Sequence, residues 1–195
     1  MNQDATACPG GGIPPCASNI VSPPRGGVSA RTLRNKPSKA AGKALKQGVR
    51  AWDKGQYDQA LRYLTEAVRL NPNSVEALTD LGAVYAKADR PEEALQQYEL
   101  ALALEPNLAG AYSNKAAAFV MLSRGEEAEH AARRALQLDP GFIDADYMLG
   151  IAMMMQGKIT SETAAHLAIA AKKHPRARAY LAEVQAQLAV VNGTK

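Results

Sequence analysis

The stretch AGKALKQGVRAWDKGQYDQALRYLTEAVRLNPNS, from Ala41 to Ser74, decides the fold of this chain. Apolar residues recur in it at the spacing of an amphipathic helix, first before Gly55 and again after it. The second apolar run is followed by Pro72, and a proline cannot continue a helix. The stretch therefore predicts two helices that are joined by a short turn.

The same pattern returns every 34 residues, a period typical of helix-turn-helix repeats. Small residues and prolines stay in step in four columns: Gly48, Gly82, Ala116 and Gly150; Ala60, Ala94 and Ala128; Ala67, Ala101 and Ala135; Pro72, Pro106 and Pro140. Larger residues fill three further columns: Ala51, Tyr85, Phe119 and Met153; Leu64, Tyr98 and Ala132; Leu70, Leu104 and Leu138. Small residues midway along a helix let a neighbouring helix approach closely, so we expect tightly packed helix pairs.

These columns resemble those of tetratricopeptide repeats over roughly residues 41–175. The resemblance implies an all-α fold, a right-handed superhelix of antiparallel helix pairs whose concave groove docks a peptide or protein. We expect this domain at residues 40–190, with repeats at about 41–74, 75–108, 109–142 and 143–177 and a capping helix at 178–190.

The fourth repeat departs from the pattern in two ways. Its closing proline is Pro175, one residue later than the period requires, which predicts an inserted residue after Gly157 and an altered turn. Asp146 stands where a large apolar residue is usual. We therefore expect a looser seam between the third and fourth repeats.

Residues 1–39 are rich in proline and glycine and cannot bury enough apolar surface to offset chain entropy, so we expect a disordered tail. The segment up to Ala40 carries five Lys or Arg residues against Asp4 alone, and this excess equals the net charge of +4 of the whole chain. A solvated basic leader is favoured over a tail that docks on phosphates or anionic lipid, and no nucleic acid partner is expected.

Cys8 and Cys16 are the only cysteines, and they are flanked by glycine and proline. They could close a small disulfide loop, which favours an exported or periplasmic location over a cytoplasmic one, or they could be two free thiols. A metal site is not expected because no histidine lies near them. The chain also has no apolar run long enough for a transmembrane segment and no apolar core of a signal peptide.

Catalytic chemistry is not indicated by the sequence. No glycine-rich phosphate loop is present. His130, His166 and His174 fall on second helices or at their ends, and no third group converges on any of them, so we expect exposed histidines. We predict no catalytic residue, no cofactor and no metal, and therefore no enzyme.

The resemblance implies that the first helix of each repeat lines the groove. The best-understood groove of this family is a carboxylate clamp of lysine, asparagine and arginine side chains. Asn114 matches the clamp asparagine, but the other clamp positions do not match in either register: Thr79, Ala83, Asp144 and Met148 in one; Leu45, Val49, Asp80 and Gly110 in the other. A peptide carboxylate would meet too little positive charge there.

The groove is instead predicted to change from a polar, acidic end to an apolar, methionine-rich end that suits an amphipathic helix. Its expected lining is Asp80, Asn114, Ala117, Tyr147, Met148, Ile151 and Met155. The leading hypothesis is a non-enzymatic scaffold that docks a protein segment, in a bacterial envelope assembly. Two rivals are a self-associating structural module, in which a homo-oligomer forms, and an accessory domain whose tail binds anionic lipid or nucleic acid.

Overall fold

A computed structural model describes residues 38–193, and this part of the chain is folded into nine α-helices without a strand. The helices are α1 (Lys39–Asp53), α2 (Tyr57–Leu70), α3 (Val75–Lys87), α4 (Pro91–Leu104), α5 (Ala109–Met121), α6 (Gly125–Leu138), α7 (Ile143–Met155), α8 (Ser161–Ala170) and α9 (Pro175–Gly193). The all-α architecture predicted from the repeat period is confirmed. The remainder of the predicted tail, with Cys8 and Cys16, lies outside the described residues.

Local sequence signals set where the helices begin and end. The side chain of Ser38 accepts a hydrogen bond from the backbone N–H of Ala41, and Ser74 caps α3 in the same way. The turn after each of the first four odd-numbered helices contains one residue in the left-handed region, and these residues are also 34 apart: Gly55, Asp89, Ser123 and Gly157. The period therefore fixes the turns as well as the helices.

The small-residue column allows close contact within each helix pair. A Cβ added to Gly82 would lie 2.5 Å from Cε1 of Tyr98, and one added to Gly150 would lie 2.6 Å from Cδ2 of Leu167. In the third pair the glycine is replaced by Ala116, and the large residue at the corresponding position of the second helix is replaced by Ala132. Both alanines are fully buried in one cluster, so a larger residue on one helix is matched by a smaller one on the other.

Consecutive helices pack in pairs, and the pairs stack along the chain. Along the series α1, α3, α5 and α7, each helix also contacts the next one, whereas no comparable contact joins the second helices of the pairs within residues 38–193. In a curved stack of helix pairs, the series of helices that packs more closely lies on the inner side. The inner face is therefore built from α1, α3, α5 and α7, and the outer face from α2, α4, α6 and α8.

The fourth pair differs as expected in its turn. Residues 156–160 separate α7 from α8, whereas three residues separate the helices of each earlier pair. Thr160 caps α8 by accepting a hydrogen bond from the backbone N–H of Thr163. The last helix is longer than predicted: it begins at Pro175 rather than Arg178, because proline fits the first turn of a helix. Within residues 38–193, none of the helices is both long and apolar enough to span a membrane.

Candidate partner groove

At the end of the inner face nearest the N-terminus, a recess opens between α1 and α3. It has a volume of about 150 Å³. The lining combines aliphatic side chains, one indole ring and one carboxylate: Val49, Trp52, Leu64, Asp80, Ala83 and Val84. Trp52 also packs edge-on against Tyr57, with ring centroids 5.4 Å apart, across the turn between α1 and α2. The indole therefore both supports this turn and forms part of the recess wall.

Asp80 is the only ionisable group in this lining. Burial, together with the negative charge of Glu76 on the same helix, raises the pKa of Asp80 to about 6. The pKa of Tyr98 is also raised, mainly by burial and further by the charge of Asp80. Asp80 thus lies where its negative charge is disfavoured unless a positive group comes close.

The middle of the inner face is formed by α5. Asn114 and Ala117 are both partly exposed there. The neighbouring Lys115 reaches back to Glu99 of α4 at 3.0 Å, so this lysine is already paired. The predicted groove residues of α5 are accessible, and they add a polar amide and a small side chain to the inner face.

The apolar side chains predicted to line the groove on α7 are partly packed against their neighbours and partly exposed. Tyr147 stacks on the ring of His174 at a centroid distance of 4.4 Å, and Met148 packs against the core cluster that helices α4 to α7 form. Ile151 is partly exposed, and Met155 keeps 40% of its surface exposed. Met155 is thus the most exposed of these four side chains, and the other three are partly buried.

Two of the three histidines are packed rather than exposed. Nδ1 of His166 lies 2.7 Å from Oδ1 of Asp146, whose side chain is only 4% exposed. Nε2 of His174 lies 2.7 Å from Oδ1 of Asp144. The expectation of exposed histidines was wrong for these two, because each folds back onto a carboxylate of α7. His130 is exposed as expected.

A second polar cluster joins α6 to the longer turn of the fourth pair. Glu129 of α6 accepts hydrogen bonds from Lys158 Nζ at 2.7 Å, Gln156 Nε2 at 2.8 Å and Arg133 Nε at 2.9 Å. Burial opposes ionisation of this carboxyl, but the three hydrogen bonds outweigh it and lower the pKa of Glu129 to about 2. The seam that we expected to be loose is thus bridged by polar contacts.

The recess beside Trp52 was not predicted from the sequence, although Asp80 was expected in the lining of the groove. A signal was present: Asp80 belongs to a column of Lys46, Asp80, Asn114 and Met148, in which each repeat has a different chemical type. A core position would keep one type. The variation indicates a position that faces something other than the neighbouring helices.

A family model described as tetratricopeptide repeat matches residues 45–109 of this chain. A curated relative, the TPR repeat-containing thioredoxin TDX of Oryza sativa subsp. japonica, is 36% identical over 50 residues, which are 26% of this chain and 16% of that protein. The chain therefore matches only a small part of this relative.

Solved structures of similar architecture cover more of the chain. A thermophilic TPR protein of Thermus thermophilus is 25% identical, with a TM-score of 0.65 over 76% of this chain and 83% of its own. The first TPR domain of Spaghetti, bound to the HSP90 peptide SRMEEVD, is 26% identical, with a TM-score of 0.60 over 62% of this chain and 95% of that domain. MamA of Desulfovibrio magneticus is 21% identical, with a TM-score of 0.68 over 77% of this chain and 86% of its own. This likeness concerns the fold alone.

Proposed function

The chain carries tetratricopeptide repeats, and on that premise we propose that residues 38–193 are a docking platform that holds a peptide or helix of another protein along the inner face. Proteins of this family are generally non-catalytic scaffolds, and we propose a non-enzymatic role here too. One observation carries the proposal. The recess between α1 and α3 lies on the inner face and presents a partly exposed indole and a carboxylate that has no ion pair or hydrogen bond within residues 38–193.

The rest of the inner face supports an extended contact rather than a single point. Partly exposed side chains follow one another from α3 to α7: Asp80, Asn114, Ala117, Ile151 and Met155. Interfaces of this kind take their binding energy from a few anchors surrounded by weaker contacts. The recess and the exposed Met155 are the anchors that we propose for the two ends.

The partner is not expected to be an acidic C-terminal peptide of the kind bound to Spaghetti. Asn114 is the one match to the clamp residues on the inner face, and the recess itself carries the negative charge of Asp80. A peptide carboxylate placed there would be repelled. We therefore propose a partner segment that is neutral or basic where it meets α1 and α3.

Peptide display tests the proposal. A random dodecapeptide library is selected against the full chain, and the affinities of the enriched peptides are measured by fluorescence polarisation. We expect Met155→Asp to weaken the selected peptides by roughly tenfold or more, because a charge would then face an apolar contact. Leu104→Asp is the matched control: Met155 and Leu104 each end a helix and are 40% and 42% exposed, but Leu104 lies on the outer face.

The two variants distinguish the inner face from the outer face as the binding site. Loss of binding in Met155→Asp with full binding in Leu104→Asp supports the inner face. Equal binding by both variants and the wild type, or loss only in Leu104→Asp, would place the site elsewhere. A failure to enrich any peptide would argue against a peptide-docking function.

The rival of self-association is tested by light scattering over a concentration series of the full chain. A mass that stays at one chain excludes it, and a mass that rises with concentration favours it over docking of a foreign segment. The proposed envelope assembly depends on the spacing of Cys8 and Cys16. A non-reducing mass measurement on protein from its native host supports it if the two cysteines are bonded and opposes it if they are free.

A further inference from the structure

The recess between α1 and α3 has the size of a single side chain. Sites for whole small molecules or cofactors usually measure about 300–1,000 Å³. This recess measures about 150 Å³, and an apolar cavity of about that volume can hold a benzene-sized group. The occupant that fits is one side chain of a docked segment, inserted between the two inner helices.

The recess also has a charge that nothing in residues 38–193 neutralises. Asp80 makes no hydrogen bond and no ion pair within this part of the chain. The groups that act on it electrostatically are Glu76 of the same helix and Tyr98 of α4, and neither brings positive charge. A half-buried carboxylate without a counter-ion is costly, and a cation that enters the recess would remove that cost.

Trp52 supplies the second element of cation recognition. Its indole lines the same recess as the Asp80 carboxylate. The face of an aromatic ring attracts a guanidinium or ammonium group, and the alkyl stem of the same side chain packs on apolar walls such as Val49 and Leu64. A carboxylate, an indole and an aliphatic wall together match a long basic side chain.

We propose that the recess binds one lysine or arginine side chain of the docked segment, with Asp80 as its counter-ion and Trp52 as the wall against its stem. This inference rests on the proposed function and specifies the partner at one end of the groove. It also accounts for the chemical variation of the column that runs from Lys46 to Met148, since only α3 places a carboxylate there.

Trp52 is the only tryptophan of the chain, so tryptophan fluorescence reports on the indole that lines this recess. The full chain is titrated with four blocked tripeptides, acetyl-Ala-X-Ala-amide, in which X is arginine, lysine, citrulline or glutamate. Citrulline has the shape of arginine without its charge. We expect the arginine and lysine peptides to bind about tenfold more tightly than the citrulline peptide, the factor expected for one hydrogen bond to a charged group.

Asp80→Asn should lower the affinity for the arginine peptide about tenfold and leave the citrulline peptide unchanged. Asp53→Asn is the matched control, because Asp53 is an exposed carboxylate next to Trp52 and should leave all four affinities unchanged. The preference for arginine over citrulline should also shrink as the pH falls through about 6, where Asp80 takes up a proton. A thermal melt of each variant shows that it is folded.

The inference is overturned if citrulline and arginine peptides bind equally, if the glutamate peptide binds more tightly, or if Asp80→Asn has no effect. Its failure is distinct from that of the proposed function. Display-selected peptides that lose binding in Met155→Asp but do not depend on Asp80 would leave the docking platform intact and refute only the basic side chain.

Discussion

The second and fourth helix pairs have the same backbone plan and the same close contact of a glycine with a large side chain, but they differ at one buried position. In the pair α3 and α4, Gly82 is pressed against the ring of Tyr98, and Leu78 is fully buried. In the pair α7 and α8, the position of Leu78 is taken by Asp146, which is buried against His166. The same buried position of the repeat can therefore be filled by an apolar side chain or by a carboxylate that is paired with a histidine.

Loss of shape complementarity in the second pair should have the largest effect. Gly82→Val places methyl groups where Cβ alone would already lie 2.5 Å from the Tyr98 ring, which is fully buried and cannot move aside. We expect the free energy of unfolding to fall by about 3 kcal/mol in urea denaturation. Gly42→Val is the control, since a Cβ at Gly42 meets nothing within 4 Å, and should change stability by roughly 0.5 kcal/mol at most. Equal costs would show that the close approach is not needed.

Loss of the polar pair should have the next largest effect. His166→Ala leaves the Asp146 carboxylate buried without its 2.7 Å partner, and we expect a loss of about 2 kcal/mol in the same assay. His130→Ala, which removes an exposed histidine from α6, should be nearly neutral. If both substitutions are neutral, the fourth pair does not depend on this contact and the distinction between the two pairs fails.

The smallest effect is expected at Glu129, which links α6 to the turn of the fourth pair. Its pKa in the folded chain is about 2, below the ordinary value of 4.5. The stability that it contributes is therefore full above about pH 4.5 and is lost as the pH falls through 4.5 towards 2. We expect Glu129→Gln to cost about 1 kcal/mol at pH 7 and to flatten the acid limb of the stability curve.

Glu127→Gln on the same helix is the control for this pH dependence. Glu127 is exposed, and within residues 38–193 its side chain pairs only with the nearby Arg124. Its substitution should leave the urea midpoint at pH 7 unchanged. A similar loss in both variants would assign the effect to the net charge of α6 rather than to the contacts of Glu129.

Much of the fold could be predicted because local residue types and the repeat period determine where the helices and turns lie. The caps at Ser38 and Ser74, the helix from Tyr57 to Leu70 and the longer turn after Gly157 all follow from residue types and spacing. The pairing of Asp146 with His166 could not be predicted in the same way, because the two residues are 20 positions apart on different helices and occur in one repeat only.

The candidate groove was predicted less completely than the fold. The inner positions of α5 and α7 follow from the repeat register, but the sequence does not show how much of Tyr147 and Met148 is consumed by packing. The recess at Asp80 required the relative placement of α1 and α3, which depends on how side chains of both helices meet. Exposure of a groove residue is a tertiary property that its own helix does not determine.

The most direct test of peptide docking on the inner face is an NMR titration of the full chain with a display-selected peptide, which follows the Trp52 indole N–H and side-chain methyl signals. We expect shifts at Trp52, Ile151 and Met155 on the inner helices and none at Leu100 and Leu104 of α4, which are 52% and 42% exposed on the outer face. Shifts confined to Leu100 and Leu104, with Trp52 and Met155 unmoved, would contradict the assignment of the inner face as the docking surface.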